Sequence, residues 1–103
     1  MGKSKYKAKK CEIDGFKFDS LKEGKRYRQL KLLEKARVIE NLELQPRYDL
    51  IINDVKCGFY KADFRYIEND KLVVEDVKGM KTPVYNLKKK LIKAIYGIDI
   101  FET

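Results

Sequence analysis

Two segments at residues 59–67 and 72–78 constrain the fold most strongly, because together they predict a β-hairpin. In the first segment apolar and charged residues alternate, which places them on opposite faces of a strand. The second segment has valines on both faces, which is typical of a central strand. The polar residues 68–71 between them predict a turn. A two-residue loop at Asn69-Asp70 would place Glu68 opposite Lys71.

This register determines which charged side chains meet. Asp63 then lies opposite Asp76, and Lys61 lies opposite Lys78. Cβ atoms of directly opposed residues are about 4.5–5.5 Å apart, so two aspartates there repel each other. A divalent metal such as Mg²⁺, which prefers carboxylate oxygens, water and phosphate, relieves that repulsion.

Two alternatives to this register and one alternative to the metal site remain open. A shift by one residue places Asp63 opposite Glu75, which is still a carboxylate pair, and a shift the other way places it opposite Val77. The face could also be simply solvated. In that case Asp63 pairs with a neighbouring lysine or with Arg65.

Two helices and several short strands are predicted around the hairpin. Ser20-x-x-Glu23 matches a capping box and predicts a first helix over residues 20–37. Thr82-Pro83 begins a second helix, which Gly97 ends. Its predicted apolar stripe consists of Val84, Leu87, Leu91 and Ile95.

The other strands are short or bent. Residues 13–18 predict a short strand or turn around Gly15. Residues 42–52 are extended but contain Pro46, which predicts a bent strand or two shorter ones. Residues 98–101 predict a last strand. The resulting order is that of a small mixed α/β domain: helix, strands, helix, strand.

Composition limits both the chemistry and the partners. The chain has 103 residues, which suits one domain, and it contains no histidine, which excludes His-based triads, dyads and metal sites. Its formal charge is +8, and five lysines lie in the first ten residues without an acid. We therefore expect a basic flexible tail over residues 1–11, a folded domain over residues 12–103 and a polyanionic partner.

The same considerations give the expected compartment and the state of the cysteines. No apolar run approaches the ~18 residues of a membrane span, and no apolar stretch follows the basic N-terminus, so a cytoplasmic protein without a membrane partner is expected. Cys11 and Cys57 lack zinc-ligand spacing. Both are expected to be reduced, with Cys57 packed in the core and Cys11 incidental.

At the hairpin the sequence resembles the PD-(D/E)XK nuclease superfamily, and more narrowly a small phage-associated endonuclease group. Ala62-Asp63 stands where the superfamily has Pro-Asp, and Asp76-Val77-Lys78 stands for its acid-x-Lys triplet. Glu23 stands for the glutamate of its first helix. The resemblance covers about residues 16–102. It implies a restriction-endonuclease-like core: helix, three strands, helix and strand, with a mixed sheet flanked by helices.

The resemblance also implies a catalytic site and a cofactor. Mg²⁺, or alternatively Mn²⁺, would be held by Asp63, Asp76, the backbone carbonyl of Val77 and Glu23, and Lys78 would position the attacking water. Two points stay open: Glu23 fits a helix cap equally well, and Glu75 competes with Asp76 as the ligand.

The implied function is Mg²⁺-dependent hydrolysis of DNA, with branched recombination intermediates as substrates, as for a Holliday-junction resolvase, in a phage context and the host cytoplasm. A homodimer would suit symmetric cutting of two strands. The alternatives are a non-specific or repair nuclease and a non-catalytic basic nucleic-acid-binding protein. DNA contacts are predicted for four lysines near the second helix, with a solvated helix face as the competing interpretation: Lys81, Lys88, Lys89 and Lys90.

Overall fold

The structure, a computed structural model, describes residues 10–78 and 81–103. It is a mixed α/β fold with two helices. In chain order the elements are β1 (Cys11–Ile13), β2 (Phe16–Phe18), α1 (Leu21–Lys35), β3 (Glu40–Leu44), β4 (Arg47–Ile52), β5 (Val55–Lys61), β6 (Phe64–Glu68), β7 (Lys71–Asp76), α2 (Pro83–Tyr96) and β8 (Ile100–Glu102).

A four-stranded sheet in the order β3-β6-β7-β8 forms the centre of the fold. β3, β6 and β7 are antiparallel neighbours, and β8 joins β7 in parallel after the crossover through α2. The central position predicted for the strand at residues 72–78 is confirmed. The predicted hairpin register is also confirmed, because Glu68 pairs with Lys71 and Phe64 with Glu75. Asn69 and Asp70 both have positive φ, as a tight two-residue turn requires.

The prediction of one continuous strand over residues 59–67 is wrong, because the chain bends between β5 and β6. Gln45 has a positive φ and Pro46 follows it, so the partner strand bends at the same level and divides into β3 and β4. Leu44 pairs with Phe64 and Arg47 with Lys61, so one register runs through the bend. The far part of this long hairpin, β4 with β5, forms a separate two-stranded sheet, hereafter the ribbon.

Each face of the central sheet carries its own apolar core. On one face, Tyr27 and Leu30 of α1 pack with Phe64 and Tyr66. The other core lies between α2, the ribbon and the sheet and consists of Tyr48, Leu50, Tyr60, Ala62, Val74, Tyr85, Ile92 and Ile100. Alternate side chains of β6 and β7 therefore face different helices.

Both helices begin as predicted. Ser20 and Thr82 are the N-caps, and each accepts a hydrogen bond from the backbone N–H three residues later. The predicted apolar stripe of α2 is wrong in its first half, since Val84 and Leu87 are 62% and 57% exposed. Tyr85 and Ile92 form the buried side instead, because the tyrosine ring packs on the sheet.

The prediction that both cysteines are reduced is confirmed, but the predicted packing of the two is wrong. Cys57 is exposed on β5, whereas Cys11 begins β1 and packs against the α1 core. Of the predicted tail, residues 1–9 lie outside the described residues. None of the described helices is long and apolar enough to cross a membrane.

Glu75 is a fully buried carboxylate that joins α1 to the sheet. Arg26 binds it with two N–H groups, at 2.6 and 3.1 Å. Tyr66 donates a hydrogen bond at 2.7 Å and Thr103 another at 3.0 Å. A buried charge costs little when all its partners are present and a great deal when one is removed.

Arg26→Ala is therefore expected to destabilise the fold by about 3 kcal/mol, because it leaves Glu75 without its counter-charge. The free energy of unfolding in urea measures this loss. Adding Glu75→Gln should recover part of it. Lys31→Ala, which removes an exposed ion pair with Glu34 on the same helix, is the control and should cost less than about 1 kcal/mol. Equal losses in the two single variants would contradict the assignment.

Candidate active site

Asp63 lies at the bend of the long hairpin, between the end of β5 and the start of β6. Its backbone N–H donates to the Glu75 carbonyl at 3.1 Å, which continues the β6–β7 pairing by one residue. Its carboxylate accepts a 2.7 Å hydrogen bond from the Val77 N–H. The Asp63 side chain is thus held against the end of β7.

Asp76 is the last residue of β7 and is only 2% exposed. Its Oδ2 accepts a hydrogen bond from the Tyr60 hydroxyl and lies 3.5 Å from Lys78 Nζ. Burial, with the bond to Asp76 adding to it, raises the pKa of Tyr60, so this hydroxyl stays protonated and donates. Asp76 thus lies between the Tyr60 hydroxyl and the Lys78 ammonium.

Asp63 and Asp76 come within hydrogen-bonding reach of each other, as the confirmed register requires. Burial is the main cause that raises the pKa of Asp63 to about 8, and a proton shared with Asp76 adds to it. The Val77 N–H acts in the opposite direction. In this pair one carboxyl holds a proton that a cation could replace.

Glu23, in the first turn of α1, belongs to the helix cap and also lies beside Asp63. Its backbone N–H donates to Ser20 Oγ at 3.1 Å, and its carboxylate accepts from the same hydroxyl at 3.3 Å. It also lies within hydrogen-bonding reach of Asp63 and lines the same cleft of about 370 Å³. Burial, followed by the charge of Asp19, raises the pKa of Glu23.

The two adjacent acids of β7 have different surroundings. Glu75 points to the α1 face and is saturated by Arg26, Tyr66 and Thr103. Asp76 points to the opposite face, where Asp63 lies. Between these two acids, only Asp76 is thus placed beside Asp63.

The other predicted catalytic groups lie at the same place. Lys78 Nζ is 4.1 Å above the Tyr85 ring and the Lys78 carbonyl accepts a 3.0 Å bond from Lys22 Nζ. Val77 contacts Asp63 through its backbone N–H. Five predicted site residues thus lie together around the end of β7: Glu23, Asp63, Asp76, Val77 and Lys78.

The four lysines predicted to contact DNA do not form one group. Lys81 and Lys89 bind the two oxygens of Glu102, at 3.0 and 3.2 Å, and Tyr85 donates to Glu102 at 2.5 Å. These contacts, of which the Tyr85 hydrogen bond has the largest effect, lower the pKa of Glu102 to about 2. Because Glu102 pairs with Asp76 in register, this cluster borders the carboxylates.

The remaining two lysines lie elsewhere on α2. Lys88 Nζ is 5.3 Å above the Phe59 ring of the ribbon. Lys90 is exposed.

Sequence reasoning did not assign Tyr60, Tyr85, Glu102 or Lys22 to this site. Simple alternation places Tyr60 on the face opposite Asp63, and only the bend between β5 and β6 brings its hydroxyl to Asp76. Glu102 reaches the site through parallel pairing across the α2 crossover, for which the local sequence carries no signal.

A divalent cation fits the chemistry of this donor set. Glu23 and Asp76 each come within hydrogen-bonding reach of Asp63, and oxygen donors are what Mg²⁺ prefers. In residues 10–78 and 81–103 no three or more acidic or cysteine side chains converge as an assembled set of metal ligands. Here Asp63 and Asp76 are engaged by Val77, Tyr60 and Lys78.

In EDTA, the contribution of Asp63 to the free energy of unfolding should fall as pH rises from about 4 to about 8. Folded Asp63 keeps its proton up to about pH 8, whereas an unfolded aspartate loses it near pH ~3.9, so the folded state binds more protons in this window. Asp63→Asn should remove most of the slope and raise the free energy of unfolding at pH 8 by on the order of 2 kcal/mol relative to wild type. Asp99→Asn, at an 83% exposed side chain, is the control. Identical slopes in wild type and Asp63→Asn would disprove the raised pKa of Asp63.

Comparison with known proteins gives a family but no described function. No curated protein and no solved structure matches the chain. Residues 3–100 match the family described as Protein of unknown function (DUF1064). Because this match spans nearly the whole sequence, the chain belongs to the DUF1064 family.

Proposed function

We propose that this protein is a Mg²⁺-dependent DNA endonuclease of the PD-(D/E)XK type. The observation that carries the proposal is the approach of Asp63 to Asp76, with Lys78 Nζ 3.5 Å from the latter. Two carboxylates and a lysine at the end of neighbouring strands supply both the metal ligands and the positive group that phosphodiester hydrolysis needs. The net charge of +8 favours a polyanionic substrate.

The order of elements supports the same proposal. α1 precedes three antiparallel strands of the sheet, β3, β6 and β7, and α2 then leads to β8. The same order, helix, three strands, helix and strand, is the one expected of a restriction-endonuclease-like core. The ribbon is an extension of the first two of those strands.

Each residue of the cluster has a definable role. Asp63, Asp76, Glu23 and the Val77 carbonyl would hold Mg²⁺. The bound ion would supply Lewis-acid stabilisation of the charge on the phosphate. Lys78 orients the attacking water and stabilises negative charge on the phosphate oxygens. Tyr60 keeps the Asp76 carboxylate in place through its hydrogen bond.

Asp76→Asn and Lys78→Met are each expected to lower the cleavage rate by roughly 10²-fold or more, because each removes a charge next to the reacting phosphate. Cleavage of a synthetic four-way junction and of a linear duplex with the same arms, in Mg²⁺ or EDTA, measures the effect. Asp99→Asn and Lys93→Met form the control, since they alter an exposed acid–lysine pair at 2.9 Å elsewhere in the fold.

The two DNAs also separate the candidate substrates. Faster cutting of the junction supports a resolvase-like enzyme acting on branched DNA, and equal cutting supports a non-specific or repair nuclease. Full activity of Asp76→Asn would refute the site. Binding without cleavage in any metal would refute the nuclease and favour a non-catalytic nucleic-acid-binding protein.

A further inference from the structure

The outer face of the ribbon is exposed and carries an aromatic ring among cations. Arg47 pairs with Lys61 and Asp49 with Phe59, so these four side chains share one face. The opposite face holds the tyrosines that are buried against α2. Phe59 itself is 39% exposed.

Two cations hold the Phe59 ring in place. The guanidinium carbon of Arg47 lies 4.0 Å from the ring centroid and Lys88 Nζ lies 5.3 Å from it. Nucleobases stack on aromatic rings and on guanidinium planes, so this pair offers a stacking surface for a base. Lys61 and Lys88, which lie beside this stacking surface, can reach the phosphates on either side of the stacked base.

The charge of this face favours a nucleic acid. Of the four residues that define this face, Asp49 is acidic. Its carboxylate is already paired with Arg47 at 3.4 Å and with Lys56 at 3.6 Å. Lys61 on this face and Lys88, which reaches the Phe59 ring from α2, add two further positive charges. A second copy of the chain would bring the same excess positive charge to this face, whereas a phosphate backbone complements it.

The ribbon leads directly into the carboxylate cluster. Lys61 is the last residue of β5, and Asp63 follows it by two positions. A strand bound along the outer face would therefore continue towards Asp63 and Asp76.

We propose that the ribbon binds unpaired DNA next to the cleaved bond, with one base stacked on Phe59 beside Arg47. Bases inside a duplex are already stacked and cannot reach this ring, so the contact selects substrates with single-stranded or splayed nucleotides. This proposal rests on the proposed nuclease function and adds a substrate class to it: DNA with unpaired nucleotides at a branch, flap or gap.

Because the chain has no tryptophan, Phe59→Trp creates a single fluorescent reporter. Its emission is expected to be quenched by a 15-nucleotide oligo-dT in EDTA, and far less by a duplex of equal length. Phe101→Trp, at a 48% exposed phenylalanine on β8, is the matched control and should be quenched by neither. Quenching equal in both variants, or equal with both DNAs, would overturn the proposal.

Two further variants test the contact without a new ring. Phe59→Ala should weaken oligo-dT binding about tenfold, as expected for loss of one stacked base. Lys61→Ala should reduce the dependence of log Kd on log salt by about 0.7, as expected for loss of one phosphate contact. Leu72→Ala, at an exposed leucine on β7, should change neither quantity. Wild-type affinity in Phe59→Ala would overturn the proposal even if the tryptophan variant failed to fold.

These binding measurements fail separately from the nuclease assay. If no DNA is cleaved but oligo-dT still quenches Phe59→Trp, the nuclease function is refuted and the ribbon remains a single-strand-binding surface. If DNA is cleaved but oligo-dT does not quench Phe59→Trp, and if Phe59→Ala keeps the wild-type preference for branched DNA, only the ribbon proposal is refuted. A DNA-independent emission change that grows with protein concentration, together with a dimer in sedimentation, would assign this face to a second copy.

Discussion

The tight turn at Asn69–Asp70 sets the register on which the candidate site depends. It pairs Glu68 with Lys71, and the same register brings Asp63 opposite Asp76 at the other end of the hairpin. A slip by one residue would exchange the two faces of a strand, burying the wrong carboxylate against α1. Because both faces of this sheet are covered by cores, the register is strongly specified.

The neighbouring acids Glu75 and Asp76 show how one strand can support two unlike environments. Glu75 is neutralised within the protein by Arg26, Tyr66 and Thr103, and it ties α1 to the sheet. Asp76 instead meets a second carboxylate, with Lys78 and Tyr60 as partial compensation. The first arrangement is complete and structural, whereas the second leaves a carboxyl pair that holds a proton, which a bound cation could replace.

The bend in the long hairpin couples the candidate site to the ribbon. Pro46 and the positive φ of Gln45 turn one strand, and the chain turns opposite them at Asp63. Because of this turn, Asp63 lines the same cleft as Glu23. The turn also brings the Tyr60 hydroxyl to Asp76. It also leaves the outer face of the ribbon uncovered. Lys61 on that face and Asp63 in the carboxylate pair are only two residues apart along the chain.

The sequence by itself determined the features that depend on local chemistry. The caps at Ser20 and Thr82, the turn at Asn69–Asp70 and the hairpin register that this turn sets followed from short-range rules. Tertiary structure decided which side of α2 is buried, which cysteine packs in the core, and that Tyr60 and Glu102 join the site. These outcomes depend on a bend and on a parallel crossover between distant segments, and no local pattern of residues encodes the contacts made there.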